Sequence, residues 1–403
     1  MNNKAIVLYL HVHQPHRLRN YSIFDVANSN NYFETPYTSP YSNQAVLEKV
    51  ASKSYLPTNR KLLELLNKHP QFKLNLSITG TVLEQLEWWS PETLQSFKDL
   101  TNTGRVEIAG ETYHHSLAFF YSKPEFEAQV GLHKDKIQQL FGQTPQVFRN
   151  TELAYNNQLA VWADSAGYKG IIAEGWDPVL GWRSPNFVYR PSGTHNIRLL
   201  LKNYKLSDDI AFRFGNRDWT EWPLTADKFT HWLDGTHDAQ VFNLFMDFET
   251  FGEHQWEDKG IFEFLEHLPE KWLAGENNTF MNLSEAIDRF EPSDWIDTPT
   301  TTTWADTERD LTAWLGNPLQ QQAIGALYEF GEAVLSSGDD QLLWDWRKLQ
   351  TSDHFYYMCT KWFADGDVHA YFSPYDSPYD AYINYMNVMQ DIRLRLTQKG
   401  LLS

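Results

Sequence analysis

The chain has 403 residues and a net charge of −18 from 52 acidic and 34 basic side chains, a balance that argues against nucleic acid or an anionic membrane as the partner. Apolar residues at 42% supply a core, while 15% aromatic residues, 16 of them Trp, leave rings to spare as flat platforms for the C–H faces of sugars. The acidity does not oppose a neutral polyol substrate, and it serves solubility equally well. A lone cysteine, Cys359, excludes an intramolecular disulfide, and the length suits two domains or one large domain with an appendage.

The N-terminus reads MNNKAIVLYLHVHQPH. Its apolar stretch at 5–10 is too short for a signal segment and runs straight into His and Gln. Nothing approaches the roughly 20 apolar residues of a membrane helix, so a cytoplasmic location is expected. Residues 5–10 read as a buried strand because nearly all are apolar. Helices are predicted over 43–52 and 58–68, a strand over 72–78, a helix over 81–89 and a strand over 105–109. A helix follows from about 124 to 140, with Pro at its first turn. Next come a strand at 146–149, a helix at 158–165, strands at 170–173 and 197–202, and a short helix at 208–214. A strand at 239–247 and a helix at 261–267 complete this part. Repeated strand–helix units imply a parallel sheet covered by helices, most simply closed into a barrel. Residues 291–303, rich in Pro, Asp and Thr, read as a connector. Beyond them only helical patterns occur, at 308–314, 320–336, 340–349, 353–363 and 379–396.

In such a barrel the chemistry sits where strands end. Those positions hold His11, His13 and Gln14, then Glu111, His114 and His115, then Arg149 and Glu152, and finally Asp247 and Glu249. Glu152 and Asp247 lie just past strands far apart in sequence, which a barrel brings to facing walls of one cleft. Glycosidic cleavage needs such a pair, one ionised carboxylate and one protonated acid. From spacing alone the signal is weak, since acidic residues often cap helices at strand ends, and Glu249 competes with Asp247 because alternate residues share a face.

Five segments occur in order: HVHQPHRL at 11–18, GRVEIAGETYHHSL at 104–117, FRNTELAYNN at 148–157, FMDFETFGEHQW at 245–256 and WADTERDLTAWLGN at 304–317. Together they resemble the conserved regions of glycoside hydrolase family 57, and SDDIAFRF at 207–214 and LQTSDHFYYM at 349–358 resemble its α-amylase branch. The resemblance implies a distorted (β/α)7 barrel over 1–290 and a C-terminal helical domain over 291–403 that completes the cleft. It implies retaining cleavage of α-1,4-glucosidic bonds in α-glucans or maltooligosaccharides, with Glu152 as nucleophile, Asp247 as acid/base and no cofactor. A 4-α-glucanotransferase activity on the same site is the nearest alternative.

The same segments suggest substrate contacts. His13 and Gln14 are assigned to sugar hydroxyls, for which side chains that both donate and accept are suited, with His11 beside them. Glu111, His115, Arg149 and His254 are further substrate-binding residues of the cleft, His254 alternatively orienting Asp247. Glu107, inside a strand, braces a histidine or Arg149, and Arg149 holds Glu152 ionised. Trp256, Trp304 and Trp314 are the stacking candidates. A more distant alternative is a metal-dependent barrel hydrolase, since His11-Val12-His13 at a first-strand end suits divalent-metal binding.

Overall fold

Strand β1, Lys4–Val12, is buried from Ala5 onward on both faces, which explains its unbroken apolar run. The computed structural model describes residues 4–39, 42–361 and 373–402. The other strands are β2 (Leu74–Ile78), β3 (Val106–Ile108), β4 (Val147–Arg149), β5 (Gly170–Glu174), β6 (Val188–Pro191), β7 (Arg198–Lys202), β8 (Val241–Asp247), β9 (Asn278–Phe280) and β10 (Trp295–Ile296). One sheet runs β3–β2–β1–β8, with β9 also on β1, and the second runs β10–β6–β7–β5–β4.

Two seams join the sheets. Between β3 and β4, Gly110 N–H donates to Val147 O at 2.9 Å and Arg149 N–H to Gly110 O at 2.8 Å. Between β7 and β8, Asn203 N–H donates to Asn243 O at 2.9 Å, and Asn243 Nδ2 to Leu201 O at 2.9 Å. Strands β8, β1, β2, β3, β4, β5 and β7 thus ring one core as a distorted (β/α)7 barrel whose ladder is not continuous. Strand β6 pairs antiparallel with β7 at Val188–Leu200 and Tyr189–Leu199, and β8 meets β7 where Asn203, just past β7, bonds Asn243 in the first half of β8.

Caps set the helices close to those ends. Thr79, directly after β2, accepts from Val82 N–H and starts the helix Gly80–Trp89. The helix Lys123–Phe141 begins at Ser122 with Pro in its first turn and ends on left-handed Gly142.

The C-terminal helices Pro318–Glu329, Asp340–Lys348 and Pro378–Gln398 share a core with Leu18, Tyr21, Tyr32 and Phe33 from the long segment after β1. Tyr32 OH donates to Asp391, tying that segment to the last helix.

Four expectations need correction. The helices Pro91–Thr101, Ala226–Gly235 and Leu283–Arg289 and the strands β6, β9 and β10 were not foreseen. The connector contains β10, paired to β6. The helix expected over 308–314 is only Thr312–Leu315, because Asp306 and Arg309 before it take left-handed backbone at φ 54° and 51°. The helix expected over 353–363 is Ser352–Tyr356, and residues 362 and 363 lie outside the described residues.

Candidate active site

The site is assembled at the C-terminal ends of the parallel strands. His11 of β1 pairs in register with Asp247 of β8, so the first and last conspicuous strand ends lie side by side. After β4 the chain turns through Thr151–Leu153, with Glu152 at φ 58° and Leu153 at φ 51°. Left-handed backbone in two successive non-glycine residues is strained and persists only where surroundings impose it. Here Asn150 Nδ2 donates to Ala154 O at 2.9 Å, and Trp304 N–H donates to Glu152 O at 3.3 Å.

Three side chains hold the Glu152 carboxylate. His115 Nε2 and Ser352 Oγ each donate to Oε1 at 3.0 Å, and the Trp304 indole N–H donates to Oε2 at 2.9 Å. His115 is itself at φ 51°, and its carbonyl accepts Ser352 N–H at 2.9 Å, so the C-terminal helices are fastened to the site at this point. Burial opposes ionisation of Glu152, but the His115 charge and hydrogen bond and the Arg149 guanidinium outweigh it and hold the carboxyl below its usual range. For His115, burial opposes the charge and the Glu152 and Glu111 carboxylates prevail, pushing it up to about 9.

Asp247 is the opposite case. Burial, then the neighbouring Glu152 charge, push it up to about 6, against the opposing charges of Arg149, Lys202 and His115. One cleft therefore contains an ionised carboxylate and a carboxylic acid protonated up to mildly acidic pH. That pairing can attack an electrophilic carbon and protonate a departing oxygen. Glu249, the sequence-level competitor of Asp247, is buried and accepts from Tyr55 OH and from Gln14 Nε2. Burial and the Asp247 charge push it up to about 8, so it is neutral where Glu152 is charged.

Several expected sugar contacts lie elsewhere. Glu111 and Arg149 are wholly buried: Glu111 Oε2 lies 3.7 Å from both Arg149 Nη1 and His115 Nδ1, behind the cleft. Arg149 acts on Glu152 through charge rather than on substrate. Trp314 is 1% exposed inside the C-terminal helical core and offers no face to a sugar. Glu107 binds Ser284 N–H and Oγ, not Arg149 or a histidine. Trp304 has Arg149 Cζ at 5.1 Å and Lys202 Nζ at 5.5 Å from its ring centroid. Its exposed edge is therefore secondary to its bond to Glu152.

The remaining residues stay at the cleft. His13 bonds Thr79 Oγ1 at 2.8 Å and Asp353 at 3.0 Å, and its ring stacks on His115 with centroids 4.0 Å apart. His11 is almost buried, with Nδ1 on Ser77 Oγ at 2.8 Å. Gln14 accepts from Arg17 at 2.9 Å. His254 N–H donates to Glu249 O at 2.9 Å, while Trp256 is 55% exposed, with Lys53 Nζ 5.7 Å from its ring centroid on one face. His114 turns away, onto Tyr113 and Trp344.

The metal alternative meets a mixed arrangement. His11, Glu111 and His115, and likewise His13, His115 and Asp353, bring ligand atoms within 4.8 Å of one another. Both sets share His115, and Arg149 Nη1 lies 3.4 Å from its Nδ1. A guanidinium already supplies positive charge there, and a divalent cation would be set against it. Ser352, Asp353, Lys202 and Glu174 were not singled out from sequence. For the first two a signal existed, since both fall inside LQTSDHFYYM.

A barrel with two carboxyls at its strand ends is an arrangement found in enzymes, and comparison with known proteins gives the class. Residues 7–299 match the family described as Glycosyl hydrolase family 57, and the chain belongs to that family. A provisionally named α-amylase of Methanocaldococcus jannaschii is 43% identical over 398 residues, covering 96% of this chain and 83% of that protein. A branching enzyme from Pyrococcus horikoshii has a similar fold, with TM-score 0.69 at 14% identity, covering 92% of this chain and 87% of that one. A 4-α-glucanotransferase from Thermococcus litoralis aligns with TM-score 0.59 at 20% identity over 91% of this chain, which spans 54% of that enzyme. Among the described residues no helix is long and apolar enough to cross a membrane.

Proposed function

We propose that the chain is a retaining hydrolase of α-1,4-glucosidic bonds in α-glucans or maltooligosaccharides, with Glu152 as nucleophile and Asp247 as acid/base. The observation that carries this reading is the divergence of the two carboxyls: Glu152 is held low by His115 and Arg149, and Asp247 is pushed up to about 6. In the first step a Glu152 oxygen bonds to the anomeric carbon as its bond to the leaving oxygen breaks, and Asp247 gives that oxygen its proton. In the second step Asp247 takes a proton from water as the water oxygen replaces Glu152, restoring both groups. Residues 1–290 serve as the catalytic barrel, and 291–403 complete the cleft through Ser352 and Asp353. His11, His13, Gln14, His254 and Trp256 are the sugar contacts in this reading.

The α-amylase name of the 43% identical relative supports hydrolysis. Transglycosylation, as in the glucanotransferase relatives, is the second reading, favoured by the likeness to the Thermococcus litoralis enzyme. Product analysis on maltooligosaccharides, starch and pullulan separates them. Hydrolysis gives reducing ends in step with bond cleavage, whereas transfer gives longer oligosaccharides. The first product formed is expected to be the α-anomer, and Glu152→Gln and Asp247→Asn are expected to abolish turnover. Initial β-anomer, or near wild-type turnover by Glu152→Gln, overturns the assignment.

A further inference from the structure

Four charged side chains lie beside the site without touching the Glu152 carboxylate. Glu174 ends β5, Lys202 ends β7, Asp208 ends the helix Tyr204–Asp208, and Arg309 comes from the loop that follows Trp304. Lys202 Nζ is 3.7 Å from Glu174 Oε2 and 3.2 Å from Asp208 Oδ1. Arg309 reaches the same two acids, Nη1 at 3.5 Å from Glu174 Oε2 and Nη2 at 3.6 Å from Asp208 Oδ2. Two cations and two anions cancel, and Glu174 is fully buried, so the set is tolerable inside the protein only as a whole.

Two of the cluster's outward contacts fall on Trp304, while Arg309 Cζ also lies 5.1 Å from the Tyr204 ring centroid. Arg309 Nη1 donates to the Trp304 carbonyl, and Lys202 Nζ lies 5.5 Å from the Trp304 ring centroid. Trp304 in turn donates its indole N–H to Glu152 Oε2 at 2.9 Å and its backbone N–H to Glu152 O at 3.3 Å. The loop between them is wound tightly: Asp306 and Arg309 are left-handed, Thr303 N–H donates to Arg309 O at 2.9 Å, and Thr303 Oγ1 to Asp310 O at 2.8 Å. Non-glycine residues adopt such backbone only where surroundings over-determine it; the ionic cluster holds the loop at Arg309, and Lys361 Nζ holds it at Asp306 and Glu308, each at 3.2 Å. A buried ionic set is weak as a stability device, since apolar replacements of similar volume often stabilise as well.

We propose that Glu174, Lys202, Asp208 and Arg309 form a positioning network, fixing loop 303–310 so that the Trp304 indole N–H stays on the Glu152 carboxylate. This rests on Glu152 being the nucleophile. The groups facing Glu152 by charge are His115, Arg149, Asp247 and Asp353, and none of them is altered in the test.

The experiment compares Arg309→Gln, Arg309→Lys, Trp304→Phe and the double variant Arg309→Gln/Trp304→Phe in the full chain. kcat and KM are measured across pH on a maltooligosaccharide of defined length. Arg309→Gln is expected to lower kcat by about tenfold or more with KM within about threefold. The acidic limb of kcat should move to higher pH, since Glu152 loses a donor to its charged form. Trp304→Phe should show the same shift, and adding Arg309→Gln to it should change kcat by no more than about twofold, because both act through one contact. Arg309→Lys keeps the charge without the planar fork and should fall between wild type and Arg309→Gln. If Arg309→Gln does not fold, Arg309→Lys supplies the same pH readout. Multiplying effects in the double variant, or a lowered kcat with an unmoved acidic limb, overturn the network. Those results with an inactive Glu152→Gln leave the nucleophile assignment standing, whereas an active Glu152→Gln overturns that assignment itself.

Discussion

Removing the His115 cation tests how the two carboxyls are kept apart. His115 is buried, donates to Glu152 at 3.0 Å and is raised from 6.5 to about 9. A rise of that size corresponds to roughly 3 kcal/mol of preference for the charged ring at about 1.36 kcal/mol per unit. His115→Gln keeps an N–H that can reach Glu152 but removes the charge. In the wild type, Glu152 ionises below the ordinary 4.5 and Asp247 holds its proton to about 6, so kcat/KM should peak between those values. His115 favours the charged form of both carboxyls, so its loss moves both limbs to higher pH. The acidic limb should move further, by about 1–3 units, because its contact with His115 is direct. The stability consequence has a definite sign. A histidine raised in the folded state contributes stability fully present below 6.5 and lost as pH rises through about 9. Urea unfolding of the wild type should therefore weaken between those pH values, and His115→Gln should flatten that slope. An acidic limb that stays in place in His115→Gln refutes the reasoning.

Glu249→Gln imitates the neutral acid, and with Glu249 pushed up to about 8 it should leave kcat at pH 6 within about threefold of wild type; a large loss at that pH shows that Glu249 is ionised. Trp314→Ala, made at a 1% exposed core position, should cost about 3–5 kcal/mol in urea unfolding while KM of the folded enzyme is unchanged. An unchanged midpoint contradicts its place in the core. Trp256→Ala, at a 55% exposed ring, should leave stability within about 0.5 kcal/mol and raise KM for maltooligosaccharides severalfold. An unaltered KM removes Trp256 from the sugar contacts.

The strands were legible because parallel strands covered on both faces must be continuously apolar, as 5–10 and 239–247 are. Strand β6 was not, because it is a four-residue strand containing Arg and Pro, and its pairing is decided by β7 and β10 in space. Pro91–Thr101 follows Trp89 after one residue, beyond the point at which the expected helix over 81–89 stops. Strand-end logic grouped Glu152, Asp247, His11 and His115, and the strands bring them to neighbouring positions, His11 beside Asp247 and His115 on Glu152. It put Glu111 and Arg149 against the sugar, yet both turn into the interior, where Arg149 keeps only its expected charge effect on Glu152, because depth is not encoded in sequence position. Ser352 and Asp353 come from a helix roughly 200 residues beyond Glu152, and no local pattern predicts that contact. Left-handed Glu152 and His115 carry no glycine signal either, since their backbone is imposed by Trp304, Ser352 and Asn150.

Covalent trapping tests the central assignment most directly. The full chain is incubated with an activated fluorinated α-glucosyl fluoride that forms a glycosyl-enzyme faster than water releases it, and the adduct is located by peptide mass mapping. A single stoichiometric label on Glu152, absent in Glu152→Gln, is the predicted result. A label on Asp247 or Glu249, or turnover of the reagent to the β-anomer with no adduct, contradicts it.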